Sequence, residues 1–347
     1  MSATDRRASA LSRRGFIKIA AAMGLLAGCR AAGLQQTLTT TPSPAASPTP
    51  TAPPGRPAGL TRVVHTRHAG VWDGKDLAPP AIRQMLDASV TALTGLDDAD
   101  AAWASMFEPD ERIAIKVNTI TYSNVWTHAP LVMTLAQCLQ DAGVPAEQIT
   151  VFDRRTNELE TAGFPINEDG SGVRCYGSET NYAGGYSIME TNIRLSDILL
   201  DCDALINVPI LKYHNHAGMT FAMKNHFGSF DRPSVFHTPR TGQAIAELNA
   251  LPAIRDRTRL VIGDALSMCP TPNWNHAVRT SSLLMSRDPV AHEAVGLELL
   301  SQALEAQNLE PASVRATVDE WLAIANQLGV GTCDLDQIDV IRLDLEA

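Results

Sequence analysis

Ile113-Ala114-Ile115-Lys116-Val117-Asn118 is an apolar run of strand length, and together with its next forty residues it decides the fold. Over residues 130–142 the chain sets Leu131, Val132, Leu135, Cys138 and Leu139 on one helical face, with Gly143 as a stop. Residues 149–152 are a second apolar strand, ending at Asp153. Strand, helix and strand in that order form a βαβ unit. Neither strand alternates apolar with polar as a half-wetted strand does, so both are predicted to be buried on both faces of a parallel sheet.

The alternation continues on either side. Val63-Val64 opens a short strand and residues 81–93 read as a helix. A short helix is predicted over 193–200, a strand over 204–208 closed by Pro209, and a strand over 260–262 ending in Gly263-Asp264. Residues 283–285 form a further strand. Asp288 as N-cap and Pro289 at the first helical position start a helix that runs through Leu300. A late helix over 312–328 and a closing strand over 338–343 complete the pattern, and no internal repeat interrupts it. The predicted class is α/β, Rossmann-like, with a mainly parallel sheet flanked by helices. Residues 59–347 form one large lobe or two intimate ones.

The N-terminus reads differently. Arg6, Arg7, Arg13, Arg14 and Lys18 make a basic region, an apolar run covers 19–27, and then comes Leu26-Ala27-Gly28-Cys29. That run is about ten residues, against about 20 needed to cross a bilayer core. Ser12-Arg13-Arg14-Gly15-Phe16-Ile17-Lys18 resembles a twin-arginine export signal, and Leu-Ala-Gly-Cys resembles a lipobox cut before its cysteine. Residues 1–29 are therefore expected to address the chain to the twin-arginine export machinery. Lipidation of Cys29 would then tether the protein to the lipid bilayer at the outer face of the cell membrane. That export route carries folded proteins, often with a cofactor in place. Residues 30–58, rich in Thr, Pro, Ser and Ala, cannot bury a core and read as an extended stalk.

Residues 1–29 hold five basic side chains and one acidic, so the rest of the chain carries about −14 where the whole carries −10. Such an acidic surface argues against nucleic acid as a partner. Beyond Cys29 the cysteines are Cys138, Cys175, Cys202, Cys269 and Cys333. No two have C-x-x-C spacing, which argues against an iron–sulfur cluster, and their odd number and scatter argue against a disulfide framework.

Polar residues cluster where strands end: Lys116 and Asn118, Asp153, Lys212 with His214, and Asp264. Ligands of open parallel sheets bind beyond the carboxyl ends of strands, so these residues are expected to share one cleft. The densest segment runs from Ile206 through Lys212, His214, His216, Gly218 and Thr220 to Lys224 and Asn225. It reads as a strand, a loop, and a helical turn whose N–H groups could meet an anion. His214, His216, His226 and His237 are four of the nine histidines. A metal held by His214, His216 and His237 is one reading of them, and ordinary hydrogen-bonded histidines are the other. No glycine-rich phosphate loop is present.

Ile206-Asn207-Val208-Pro209-x-Leu211-Lys212-x-His214, Gly218-x-Thr220 and Lys224-Asn225-x-Phe227-Gly228 resemble the family called domain of unknown function 362. Ile115-Lys116-x-Asn118 and Ser286-x-Asp288-Pro289-Val290-Ala291 carry the same likeness. Glu293 stands where the family leads one to expect Asp. Many relatives carry ferredoxin-like cysteine clusters that this sequence lacks. The ten-residue interval from His214 to Lys224 is also similar to that in lactate racemase. That resemblance implies an acid/base role for His214, a cofactor tether at Lys224 and a nickel ligand at His237. The double glycine of that enzyme's loop is replaced here by Phe221-Ala222.

Two functions are expected. In the first the protein is an enzyme in which His214, Lys224 and Lys116 act on a small anionic substrate or bound cofactor. Asn118, Asp153, Lys212, Thr220, Asn225 and Asp264 then bind the ligand, and the chemistry is that of a racemase, isomerase or oxidoreductase. In the second it is a tethered solute-binding lipoprotein that uses the same cations without turnover.

Overall fold

The βαβ unit at 113–153 lies within a ten-stranded sheet in the computed structural model, which describes residues 59–120, 125–273 and 276–346. Arg13, Arg14, Cys29 and the stalk lie outside the described residues. The chain begins with β1 (Thr61–His68), a small hairpin of β2 (Trp72–Asp73) and β3 (Asp76–Leu77), then α1 (Pro79–Thr94) and α2 (Ala99–Ala104). The unit itself is β4 (Ile113–Val117), α3 (Ala129–Asp141) and β5 (Ile149–Asp153). Next come α4 (Thr156–Thr161), β6 (Arg174–Gly177), a hairpin of β7 (Tyr182–Ile188) and β8 (Thr191–Ser196), and α5 (Asp197–Asp201). The central segment is β9 (Ala204–Val208), β10 (Ile210–His214), β11 (Gly218–Thr220) and α6 (Ala222–Asn225). After it come α7 (Thr241–Ala250) and α8 (Pro252–Arg255). Long strands β12 (Thr258–Cys269) and β13 (Val278–Ser286), helices α9 (Pro289–Glu305) and α10 (Ala312–Gln327), and β14 (Ile338–Leu345) finish the chain.

The strand order is β14-β1-β13-β12-β9-β4-β5-β6, with β10 branching from β12 and β11 pairing β10. From β12 through β9, β4 and β5 to β6 every pairing is parallel. β13 runs antiparallel to both β1 and β12, so the sheet is mixed and mostly parallel.

Side-chain alternation then sorts the strands between two cores. Ile113, Ile115 and Val117 of β4, and Ala204, Ile206 and Val208 of β9, pack with Met85 of α1 and Leu131 and Leu135 of α3. Ala114 and Leu205, in the opposite phase, face the core built with Ile245 of α7, Leu297 of α9 and Trp321 of α10. Lys116 and Asn207 share that second phase and are direct partners across β4 and β9, with Phe152 opposite Lys116 on the other side. The connection after β4 crosses the first face through α3, whereas that after β9 crosses the second through α7 and α8. Neighbouring strands β4 and β9 thus send their chains to opposite faces, which opens a crevice at their carboxyl ends.

Some expectations needed correction. Residues 193–200 are not one helix: β8 ends at Ser196 and only Asp197–Asp201 is helical. Ile193 and Leu195 point inward while Asn192 and Arg194 are turned outward, an alternation too short to tell from a helical face. The strand expected at 260–262 does not end at Gly263-Asp264 but runs on to Cys269. Lys212 and His214 lie on β10, not in a loop, opposite Thr220 and Gly218. Gly263 of β12 and Gly296 of α9 leave the space that the Phe221 ring occupies immediately before α6, and a Cβ on Gly296 would come within 2.6 Å of that ring. Asp288 caps α9 as expected, accepting from Val290 and Ala291 N–H.

Candidate functional site

A cavity of about 500 Å³ opens at the crevice, within the size range of small-ligand sites. β4 supplies Asn118 just past its end, β5 supplies Asp153 and the turn residues Arg154 and Arg155, and β10 supplies Lys212 and His214. Thr220, Lys224, Asn225 and Gly228 come from the β11–α6 segment, and His216 and His237 close the rim. These segments lie far apart in sequence, and the parallel sheet brings them to one edge.

The floor of the cavity is a hydrogen-bonded network. Lys116 is fully buried, and its Nζ donates to Val117 O at 2.5 Å, Asp153 Oδ1 at 2.7 Å and Asn225 Oδ1 at 3.4 Å. Asp153 Oδ2 accepts from the N–H and Oγ1 of Thr119 at 2.7 and 2.8 Å. Asn225 Nδ2 donates to Asn207 Oδ1 at 2.7 Å and to Lys116 O at 3.2 Å, and Asn207 Nδ2 donates to Ala222 O at 2.7 Å. The α6 turn is thereby pinned to the sheet by two asparagines and a lysine. Lys212 Nζ donates to Asn118 Oδ1 at 3.0 Å and Val125 O at 2.9 Å. Each of these buried polar groups meets partners, as low-dielectric surroundings demand.

Lys224 is the exception. It is 5% exposed, lines the cavity, and among the described residues its Nζ makes no hydrogen bond. Its contact is with the face of the Phe227 ring, 3.6 Å from the centroid. Burial and the neighbouring charge of Lys212 bring its amine down to about 7. Lys212 is brought down to about 7 by burial as well, but Asp153 opposes that fall. Arg154, whose Nη2 donates to Asp231 O at 3.3 Å, and Arg155 are basic residues of the lining, against the acidic Asp153 and Glu158. Asp153 is already matched by Lys116 at 2.7 Å. A cationic cleft in an acidic chain concentrates anions.

The histidines take defined tautomers. His214 Nδ1 accepts the backbone N–H groups of His216 and Ala217, both at 3.2 Å, so its ring proton sits on Nε2. Burial and the charge of Lys224 push its pKa down to about 2. His214 is thus a neutral N–H donor, and the acid/base role expected of it is corrected: protonating Nδ1 would set it against two donors. His237 is the reverse, with Nδ1–H donating to Pro233 O at 3.1 Å and Nε2 left to accept.

Other expected residues sit elsewhere than the sequence suggested. Lys116 lies behind the cavity wall, paired with Asp153, so it supports the site from beneath and does not touch a ligand. Asp264 is not in the cavity; its Oδ2 accepts from the N–H and Nδ1 of His128 at 2.8 Å, at the start of α3. The strand's continuation past Gly263 carried it away from the crevice. The rings of His214, His216 and His237 lie 5.5 to 6.3 Å apart. Among the described residues, however, no group of three His, Cys, Asp or Glu side chains is disposed to hold a metal ion. The start of α6 does not face an anion either, because Met223 N–H donates to the buried Glu293 Oε1 at 2.7 Å. The sequence reading passed over Thr119, Arg154 and Arg155, and it quoted Asn207, Phe227 and Gly228 for the family likeness without giving them a place in the site. Asn207 had a signal, since it and Lys116 are polar interruptions at the same phase of two apolar strands.

Cys138, Cys175, Cys202 and Cys269 are buried free thiols, and Cys333 is half-buried. Among the described residues no helix is long and apolar enough to cross a membrane.

Fold and cavity together define an α/β protein with a cationic pocket at a sheet switch point. The chain belongs to the family described as domain of unknown function DUF362, whose model matches residues 113–298. No curated protein matches it. Among solved structures it is similar to a Thermotoga maritima protein, 11% identical, with a TM-score of 0.41 over 74% of this chain and 60% of that one. It is also similar to the lactate racemase apoprotein of Thermoanaerobacterium thermosaccharolyticum, 8% identical, with a TM-score of 0.42 over 70% of this chain and 57% of that one. The chain thus spans less than two thirds of either neighbour. Likeness at this level does not carry chemistry from those proteins to this one.

Proposed function

We propose that this protein is an enzyme that binds a small anion between Lys212, Arg154 and Arg155 and acts on it through Lys224. His214 Nε2–H serves as a fixed donor to the charge that develops. The observation that carries the reading is Lys224, a buried amine held over the cavity without a hydrogen bond among the described residues, in a protein that satisfies the lysines around it. Such isolation is unfavourable for folding and is explained if a ligand completes the site. Export through the twin-arginine route and tethering by a lipid on Cys29 are part of the same proposal and rest on residues 1–29.

The test is calorimetric titration with oxalate and with inorganic phosphate. At about pH 6, where the amines near 7 hold their protons, at least one anion binds, and Lys212→Met weakens it tenfold or more, about 1.4 kcal/mol. Affinity falls as pH rises through 7, because anion binding must then recruit a proton. Absence of heat with both anions at the lower pH would sink the reading. Metal analysis and intact mass of the natively exported protein then report any retained cofactor and the lipid.

A further inference from the structure

The three buried lysines of the site are not equivalent. Lys116 is neutralised by Asp153, and Lys212 is tied to Asn118 Oδ1 and Val125 O. Among the described residues Lys224 has neither a carboxylate nor a hydrogen-bond acceptor, and its neighbours are the Phe227 ring and the charge of Lys212. A lysine that served only to anchor an anion would work best as a permanently charged ammonium. The surroundings of Lys224 do the opposite. The ring face attracts an ammonium only modestly, while burial and Lys212 disfavour it and leave the nitrogen lone pair uncommitted. Positive charge for an anion comes from the Arg154–Arg155 turn on the lining and from Lys212, whose fall to about 7 is opposed by Asp153.

We propose that Lys224 forms an imine with the carbonyl carbon of a small oxo acid whose carboxylate is held by Lys212 and the Arg154–Arg155 turn, a reading that rests on the anion site described above. The Lys224 lone pair attacks the carbonyl carbon while the C=O π pair moves onto oxygen. That oxygen accepts the Nε2–H of His214, which its two Nδ1 contacts fix as a donor. Both amine protons then leave with the carbonyl oxygen as one water molecule, and the C=N bond forms. The step needs no oxidant or reductant. Its requirement is a neutral amine near neutral pH, and an amine near 7 meets it.

Borohydride trapping of the full-length protein tests this. The protein is incubated with glyoxylate, pyruvate or 2-oxoglutarate, reduced with sodium borohydride, and analysed by intact mass and peptide mapping. At least one oxo acid should add a single stable increment that maps to Lys224. Lactate, which has the charge but no carbonyl, should slow the labelling and add nothing. Lys224→Arg should lose the increment, and mapping in the wild type decides the matter even if that variant folds poorly. Binding of oxo acids by calorimetry without an adduct at Lys224 overturns the imine and leaves the anion site standing. Failure of oxalate, phosphate and the oxo acids to bind at all removes both.

Discussion

Replacing Lys224 by methionine should stabilise the protein, against the usual direction for a change in a buried site. The folded chain lowers this amine from its ordinary 10.5 to about 7. At 1.36 kcal/mol per tenfold change that places the cost of its ammonium at about 5 kcal/mol as an upper bound. The side chain faces a cavity that admits water, so the expected gain is about 1 to 3 kcal/mol, helped by a methionine sulfur against the Phe227 ring.

The pH dependence is the sharper part. An unfolded lysine keeps its proton to about 10.5, whereas the folded one gives it up near 7. Between those values the unfolded chain binds more protons, so wild-type stability rises with pH across that window. The methionine variant lacks this slope. Its advantage should be full below about pH 7 and vanish as pH approaches about 10.5. Lys212 titrates in both proteins, and because its charge is one cause of the fall at Lys224, their coupling forms part of the measured difference. Urea unfolding of both at about pH 6, 8 and 10 measures it. A variant less stable than wild type at the lowest pH, or a difference flat with pH, refutes the isolation of Lys224.

Lys116→Met should behave oppositely and destabilise by about 3 to 5 kcal/mol in the same assay, because it leaves the buried Asp153 carboxylate without its cation. Gly228→Ala should cost about 1 to 3 kcal/mol, since its Cβ would meet Asp153 Oδ1 and come within 2.7 Å of Lys116 Nζ, while Gly185→Ala, with open space around it, stays within about 0.5. Burial raises the Glu293 carboxyl to about 8, so the folded chain holds that proton longer and wild-type stability falls as pH rises from about 4.5 to 8; Glu293→Gln should remove that fall and be the more stable protein at about pH 9. Cys29→Ser should move the exported protein from the membrane pellet to the soluble fraction of a cell fractionation with its unfolding transition unchanged; a variant still in the pellet means some other anchor.

The fold was legible where one segment carries its own pattern. The 113–153 unit shows strand length, helical periodicity and a glycine stop within itself, and the α/β class rests on it. The sequence is silent where a distant partner decides. Asp264 looks like the end of a strand because an unpaired carboxylate inside β12 would be too costly, yet His128, 136 residues away, satisfies it twice. The site was legible as a set of cations at strand ends. The roles within the set were not, because they depend on which lysine finds a carboxylate. Lys116 reads as the equal of Lys224 until the register β4–β5 sets it beside Asp153. His214 reads as an acid/base until the turn to Ala217 brings two N–H groups to its Nδ1.

That division has a structural cause. β4 and β9 are central strands, and a cation at Lys116 has no route to water, so it survives only with a fixed anion. α6 lies above them, pinned through Asn225 and Asn207, and this places Lys224 at the boundary between packed core and cavity. There the amine has an escape that Lys116 lacks, which is to lose its proton or to meet a ligand. The paired lysine therefore makes the scaffold rigid enough to hold the unpaired one in an unfavourable state. Weakening the pair with Asp153→Asn should accordingly relax the turn and raise the amine of Lys224 back toward its ordinary value, even though Asp153 makes no hydrogen bond to it. Urea unfolding of Lys224→Met against its parent, both in the Asp153→Asn background, measures this. The methionine advantage should be smaller there and begin to shrink only well above pH 7, and an unchanged pH profile would show that the turn holds without the pair.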